Sequence, residues 1–136
     1  MNGIVVLVIA VVVTAALALA FSIKNGRFSA EDDAERLGAE ELGSRLGERA
    51  TLVQFSSAFC APCRATRVLL ADIAAKTPGV VTIEIDAEER LELTRQLNIL
   101  RTPTVLVLDS KGRVTRRASG LPRREQVLAA LDFVVA

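Results

Sequence analysis

The chain has 136 residues, a length that suits one compact domain with an appendage and is short for two domains with separate cores. Its formal net charge of +1 and its aromatic content of 4% argue against a nucleic-acid-binding protein. Histidine is absent and there are only two cysteines, which excludes histidine-based catalysis, the usual imidazole metal ligands and a disulfide-rich secreted framework.

The first part of the chain is strongly apolar. The segment from Gly3 to Phe21 has no charged residue, and as a helix it would span roughly 28 Å, close to the thickness of the bilayer's hydrocarbon core. We interpret residues 1–22 as one N-terminal transmembrane anchor. A cleaved signal peptide is the alternative, because residues 18–20 read Ala-Leu-Ala, but no Lys or Arg precedes the apolar run and its length exceeds that of a usual signal core.

Basic residues follow this apolar segment and none precedes it. Lys24, Arg27 and Arg36 lie after the helix, and this bias predicts a single-pass protein of the cell membrane with its C-terminal part in the cytoplasm. An extracytoplasmic placement is the alternative. Residues 23–38 are polar, carry charges of both signs and show no sustained apolar period, so we predict a linker there and one soluble domain over residues 39–136.

Strand and helix patterns alternate along residues 39–136. The helical segments place apolar residues on one face, and the strand segments are β-branched or continuously apolar. In chain order they predict a short helix with Leu42 and Leu46, a strand at 51–55, a helix with Ala65, Leu69 and Ile73 that ends at Pro78-Gly79, a strand at 80–86, a helix with Leu93 and Leu97, a strand at 104–109, a polar edge strand at 113–119, and a helix with Val127, Leu131 and Val134.

The resulting order β-α-β-α-β-β-α favours parallel strand pairs joined by helices, followed by a final hairpin. The segment at 104–109 is almost entirely apolar, which is typical of a strand covered by helices on both faces. We therefore predict an α/β sandwich around one mixed sheet.

The two cysteines, Cys60 and Cys63, lie between a predicted strand and a predicted helix. A structural zinc site needs four ligands, and this chain supplies two cysteines and no histidine. A bridge across two residues would close almost no loop and so would stabilise the fold little. Two unrelated buried thiols remain possible, but the spacing and position favour a redox pair.

The start of the predicted helix favours ionisation of Cys60. Unpaired backbone N–H groups and the helix dipole stabilise a thiolate at that end, so the pKa of the Cys60 thiol is expected below its ordinary value. Pro62 suits the opening turn, and Cys63 at i+3 falls back toward Cys60. A Cys60 thiolate that attacked a disulfide would form a mixed disulfide, which Cys63 would then resolve.

Four segments together resemble the thioredoxin family over about the last hundred residues. They are LVQFSSAFCAPCR, VTIEIDAEE, LNILRTPTVLVLDSKGRV and ASGLPRREQVLAAL, in the family's order and spacing. The resemblance implies a three-layer α/β/α sandwich with a central mixed sheet. It also implies a thiol-disulfide oxidoreductase with a Cys-Ala-Pro-Cys motif.

The resemblance assigns roles to individual residues. Cys60 matches the attacking cysteine and Cys63 the resolving one, with Ala61 and Pro62 between them. Substrate-binding positions match Phe59, Thr102, Pro103 and Gly120, and the peptide bond before Pro103 is expected to be cis. Thr102 corresponds to the position that tunes substrate and redox behaviour.

Several positions depart from the family's pattern. Gln54 stands where thioredoxins usually have a buried aspartate, and Thr82 stands where a lysine often accompanies it. Glutamine cannot accept a proton as a base, so the usual route for deprotonating the resolving thiol is missing. Phe59 also replaces the usual tryptophan, which changes the expected reduction potential and reductant.

The sequence thus predicts a membrane-tethered protein-disulfide reductase, monomeric, that transfers electrons through Cys60 and Cys63 without a metal or organic cofactor. Its predicted partners are protein disulfides or dithiols, an unidentified reductant and the membrane, with no nucleic acid. An extracytoplasmic reductase or oxidase for cytochrome maturation or disulfide formation is one alternative. A non-catalytic interaction module of the same fold is another.

Overall fold

A mixed five-stranded sheet organises the chain beyond its N-terminal helix. The computed structural model describes residues 2–30 and 36–135. Its elements are α1 (Asn2–Lys24), β1 (Phe28–Ala30), α2 (Ala39–Leu42), β2 (Ala50–Ser56), α3 (Ala61–Lys76), β3 (Val80–Asp86), α4 (Leu91–Gln96), β4 (Thr104–Asp109), β5 (Val114–Ser119) and α5 (Arg124–Val135).

The strands lie in the order β1-β5-β4-β2-β3. β2 runs parallel to β3, with Ala50 opposite Val80, whereas β4 is antiparallel to both of its neighbours, β2 and β5. The expectation of several parallel pairs is therefore wrong, because β4 enters on the other side of β2 and in the opposite direction. The order of elements along a chain does not encode which strand pairs with which.

Helices cover both faces of this sheet, and each face has its own apolar core. On one face α3 and α5 bury Leu70, Ile73 and Leu131 against the even-numbered side of β2. On the other face α2 and α4 contribute Leu42 and Leu93 to a second cluster, which also contains Val53, Phe55, Leu97, Leu106 and Leu108. The predicted three-layer α/β/α sandwich is confirmed, as are the apolar positions Leu42, Leu93 and Leu97.

The buried face of α3 differs from the predicted one. The residues facing the sheet are Cys63, Thr66, Leu70 and Ile73, whereas Ala65 is exposed. Thr66 can lie in the core because its hydroxyl donates to the Pro62 carbonyl at 2.8 Å. Ile73 is buried and Leu69 partly buried as predicted, so the prediction is wrong at Ala65, and a stripe chosen from aliphatic residues alone omits Cys63 and Thr66.

The segment predicted as a linker contributes to the sheet. β1 pairs with β5 in antiparallel register, from Phe28 opposite Ala118 to Ala30 opposite Arg116. β5 is therefore an inner strand, and its prediction as an edge strand is wrong. Leu37 is fully buried, and its N–H donates to the Gly112 carbonyl at 2.8 Å. The linker prediction is thus wrong for these two parts, while its residues 31–35 lie outside the described residues.

Leu37 offers a test of this extended boundary. Leu37→Ala is expected to lower the free energy of unfolding by about 2–5 kcal/mol, because it removes a fully buried side chain and leaves a cavity. Leu100→Ala, which truncates an almost fully exposed leucine, is the matched control and should change stability by less than about 0.5 kcal/mol. Equal urea midpoints for both variants would show that residues before 39 do not belong to the folded domain.

Basic side chains of the C-terminal third also hold elements together. Arg116 stacks over the Phe133 ring at 3.9 Å, and Arg117 donates to the Leu97 carbonyl at 2.6 Å. Arg124 of α5 pairs with Asp72 of α3 at 2.7 Å, and this contact lowers the pKa of Asp72. These arginines thus tie α5 and β5 to their neighbours.

α1 projects from this domain with none of its residues buried. It spans 23 residues and contains an 18-residue stretch with a mean hydropathy of 3.2, so among the described residues one helix is long and apolar enough to cross a membrane. A signal sequence near the N-terminus meets the same criteria. The helix ends at Lys24, where Gly26 follows with a φ of 75° and its N–H donates to the Ser119 carbonyl at 2.7 Å.

Candidate active site

The cysteine pair lies at the junction between the end of β2 and the start of α3. Cys60 is the N-terminal capping residue of α3, and it is joined to Cys63 in a disulfide with a Cα–Cα distance of 5.2 Å. Cys60 is partly exposed, whereas Cys63 is 1% exposed. One sulfur is therefore open to an external reactant, and the other lies behind it in the first turn of the helix.

The first turn of α3 supplies a hydrogen-bond donor to the outer sulfur. The Cys63 N–H donates to Cys60 Sγ at 3.2 Å. Pro62 lies within this turn, where its missing N–H leaves no helical bond unmade. Donors and the helix dipole at this position favour negative charge on sulfur, as the sequence predicted from the helix start.

A second loop reaches the pair from the start of β4. The Thr102–Pro103 peptide bond is cis, as the family resemblance implied. Thr102 Oγ1 and Ser57 Oγ are 2.9 Å apart and hydrogen-bonded, and Ser57 precedes Cys60 by three residues. The Gly120 N–H donates to the Pro103 carbonyl at 2.7 Å. Thr102, Pro103 and Gly120 are thus brought together and joined to the loop that carries Cys60.

Gln54 lies directly beneath Cys63. It is 2% exposed, and its Nε2 donates to the Cys63 carbonyl at 2.7 Å. A buried amide at this position is satisfied by that bond and carries no charge. The glutamine therefore has a structural partner in α3 while offering Cys63 no base.

Thr82, the other departure from the family's pattern, lies farther from the pair. It is exposed and pairs in register with Leu52, whereas the direct cross-strand neighbour of Gln54 is Glu84. The Glu84 carboxylate is bound by Arg67 of α3, with Nη2 to Oε1 at 2.9 Å. This contact raises the pKa of Arg67. The acidic group closest to Gln54 in the sheet is thus held in an ion pair.

Apolar side chains surround the outer sulfur. Phe59 is fully exposed immediately before Cys60, and Ala61 and Pro62 are exposed immediately after it. They leave exposed carbon surface on both sides of Cys60 in the chain. The structure therefore places the sequence-predicted site residues at the start of α3 and on three loops, before α3, before β4 and after β5.

Sequence reasoning missed two residues of this region. Ser57 was not singled out, although its hydroxyl joins the two loops. Arg101 was missed as well, and its Nη2 donates to the Ser119 carbonyl at 2.7 Å next to Gly120. Their positions beside Cys60 and Thr102 were the available signal, but an exposed polar residue in a loop carries no pattern of its own.

A metal centre has no ligand set in the part of the chain that the structure describes. Within residues 2–30 and 36–135, no three acidic or sulfur-bearing side chains converge into a metal site.

Curated relatives place this arrangement in context. A thioredoxin from the bacterium Alicyclobacillus acidocaldarius is 34% identical over 90 residues, which cover 65% of this chain and 85% of that protein. An H-type thioredoxin of indica rice is 31% identical over 78 residues, covering 57% of this chain and 60% of the relative. The chain spans about half of another rice thioredoxin, at 53% of its length.

Solved structures and a family model agree with these relatives. A thioredoxin mutant from Halobacterium salinarum superposes with a TM-score of 0.60 at 18% identity, covering 65% of this chain and 77% of that one. Thioredoxin f from spinach chloroplast gives 0.58 at 21% identity, covering 66% and 80%. The likeness at this identity shows the fold. The thioredoxin family model matches residues 37–132, well over half of the chain, so the protein belongs to the thioredoxin family.

Proposed function

We propose that this protein is a thiol-disulfide oxidoreductase that reduces protein disulfides near a membrane to which α1 tethers it. The observation that carries the proposal is the unequal exposure of the two sulfurs. Cys60 is partly exposed at the capping position of α3, while Cys63 is buried one turn behind it. Membership of the thioredoxin family supports the same chemistry.

The exchange starts from the reduced dithiol. The Cys60 thiolate attacks one sulfur of a substrate disulfide, forming a mixed disulfide and releasing the other substrate sulfur as a thiolate that takes up a proton. Cys63 then loses its proton and attacks Cys60 Sγ, which releases the second substrate thiol and leaves Cys60 bonded to Cys63. Two electrons pass from the pair to the substrate, and an external dithiol donor must return them.

Four residues around the pair are proposed to hold the substrate. Thr102 and Pro103 form one wall beside Cys60, Gly120 is hydrogen-bonded to Pro103, and Phe59 offers exposed aromatic surface. An extended substrate segment can lie along this wall with its disulfide over Cys60. Shape and apolar contact, more than charge, would then select the substrate.

Gln54 does not act as the base that accepts the Cys63 thiol proton. The amide at Gln54 donates to the Cys63 carbonyl and has no basic lone pair to accept the thiol proton. Water, or the substrate thiolate released in the first step, is the proposed acceptor. The resolving step is therefore expected to be slower than the attack.

The exchange reaction has a direct test. The full chain in detergent, mixed with dithiothreitol, should accelerate reduction of a disulfide-bonded peptide severalfold or more over dithiothreitol alone. Thiol titration in defined glutathione buffers would then give the potential of the pair. A rate equal to that of the Cys60→Ser/Cys63→Ser protein would support a non-catalytic module instead.

Membrane tethering is proposed from the length and apolarity of α1 and is tested separately. A full-length chain that stays with membranes in alkaline carbonate supports the anchor, whereas a shortened soluble chain indicates a cleaved signal. The Lys/Arg bias favours a cytoplasmic domain. A reporter fused after Ala136 that is active only when exported would reverse that assignment.

A further inference from the structure

The end of α1 is bound to the same loops that form the proposed substrate wall. Arg101 Nη2 donates to Asn25 Oδ1 at 2.7 Å and to the Ser119 carbonyl at 2.7 Å. The Gly26 N–H also donates to the Ser119 carbonyl at 2.7 Å. Two of these hydrogen bonds join Asn25 and Gly26, which follow the helix, to the segments beside Pro103 and Gly120, and the third joins those two segments to each other.

These contacts leave little room for movement between the helix end and the loops. A Cβ built on Gly26 would lie 2.1 Å from the Leu121 carbonyl oxygen, and one built on Gly120 would lie 1.8 Å from Asn25 Oδ1. At Gly26 the added atom would meet backbone, so the close approach requires glycine there, whereas at Gly120 it would meet the end of a side chain and the φ of 97° is what favours glycine. The backbone of the helix end therefore packs directly on the backbone that follows β5.

The contacts also set the position of these loops along the axis of α1. The Arg101 guanidinium lies 5.3 Å from the centre of the Phe21 ring, and Phe21 precedes the last residue of α1 by three positions, about 4.5 Å along the axis. Leu121 and Arg123 line a cavity of about 370 Å³ with Ser22 and Ile23 of the same helical turn. These loops thus lie level with the last turn of α1.

We name residues 100–103 and 119–123 the helix-proximal edge. Its side chains suit the boundary between water and lipid. Leu100 is almost fully exposed, Leu121 is exposed, and Arg101 and Arg123 provide positive charge beside them. Exposed apolar side chains next to arginine are favoured where acyl chains meet phosphate groups.

Cys60 is close to this edge. Ser57 Oγ is hydrogen-bonded to Thr102 Oγ1, and three residues of chain reach at most roughly 11 Å from Ser57 to Cys60. Phe59, fully exposed beside Cys60, extends the apolar surface toward the sulfur. The attacking group therefore stays within a short distance of the plane in which α1 leaves the membrane.

We infer that α1 holds the helix-proximal edge against the bilayer, so that the substrates are disulfides in membrane proteins within the first few residues beyond a membrane span. Arg101 is the positioning residue, because it joins Phe21 of α1, and Asn25 just after α1, to the loops at the active site. This inference rests on the proposed exchange activity and on α1 spanning the membrane. A flexible tether would instead let the domain reach disulfides at many distances from the membrane surface.

The test compares disulfides at two heights. The full chain, reduced beforehand and placed in nanodiscs that contain anionic lipid, is mixed with single-span peptides that carry one cysteine bonded to thionitrobenzoate. One peptide has this cysteine two residues beyond its span, and the other has it after a stiff helical spacer of about 20 residues, roughly 30 Å. Each turnover oxidises Cys60 and Cys63 and releases one peptide thiol and one coloured thionitrobenzoate.

The near peptide is expected to react about tenfold faster than the far one. Asn25→Ala and Arg101→Ala, which each remove the hydrogen bond between anchor and loop, should bring that ratio close to one. Arg95→Ala removes one positive charge at an exposed position in α4 and is the matched control. This variant should keep the near-to-far rate ratio of the unaltered chain. Equal rates for near and far peptides with the unaltered chain would overturn the inference.

A water-soluble peptide carrying the same thionitrobenzoate disulfide separates the two claims. If the chain reduces this soluble peptide and reduces the near and far peptides at equal rates, the exchange activity stands. The inferred placement at the membrane is then wrong. If the chain reduces none of the three peptides, the exchange activity itself is wrong and the inference falls with it. Circular dichroism of each variant shows whether the fold is retained.

Discussion

Cys63→Ser is expected to leave substrate proteins covalently attached to Cys60. The attacking sulfur remains partly exposed at the start of α3, so the mixed disulfide still forms, but no second sulfur is present to release it. Turnover should be abolished while the trapped species accumulates. Non-reducing electrophoresis of the full chain after alkylation measures these adducts, and dithiothreitol should remove them.

Cys60→Ser is the matched variant, because it leaves the buried sulfur alone in the protein. Cys63 is 1% exposed, so it should capture little or no substrate. Both variants lose the same bond between residues 60 and 63, and any difference in trapping therefore reports exposure and not stability. Equal trapping by the two variants would contradict the assignment of attacker and resolver.

Gln54→Glu is expected to make the stability of the protein strongly dependent on pH. The new carboxyl would be buried against the Cys63 carbonyl, to which Gln54 Nε2 now donates, and only its protonated form can keep a donor there. Burial raises the pKa of such a group above its value in the unfolded chain. The Gln54→Glu variant therefore keeps its stability below about pH 4. Its free energy of unfolding falls as the pH rises through the folded-state pKa of the new carboxyl.

The size of this effect follows from what burial does to carboxyl groups. We expect the free energy of unfolding of Gln54→Glu to fall by roughly 2–5 kcal/mol between pH 4 and pH 8, relative to the unaltered chain. Gln54→Met, which removes the hydrogen bond without adding a charge, should cost roughly 1 kcal/mol at both pH values. Urea denaturation at the two pH values measures both. A glutamate variant as stable at pH 8 as the methionine variant would mean that position 54 is hydrated.

The sequence predicted the central elements because their patterns are local. β2, β3 and β4 are apolar or β-branched along most of their length. The spacing of the buried residues Leu93 and Leu97 predicts α4 from local sequence alone. β1 could not be predicted in this way. Its three residues, Phe28 to Ala30, have no period and form a strand only because β5 is alongside. The direction of β4 is likewise a property of pairing.

The positions of some candidate site residues could also be predicted from the sequence. Cys60, Cys63 and Pro62 are neighbours in sequence, and a helix start after a strand suffices to place them. Pro103 and Gly120 came from the family resemblance, since nothing local shows that residues so far along the chain meet each other. The contact of Arg101 with Asn25 joins positions 76 residues apart and had no signal in the sequence.

We propose that in the reduced protein Cys60 is the reactive sulfur at the start of α3, while Cys63 is shielded behind it. Alkylation of the reduced full chain by iodoacetamide at pH 7, followed by mass spectrometry, measures the rate at each cysteine. We expect Cys60 to react severalfold to about tenfold faster than free cysteine, and Cys63 to react much more slowly than Cys60. A rate at Cys60 no higher than that of free cysteine would contradict the account.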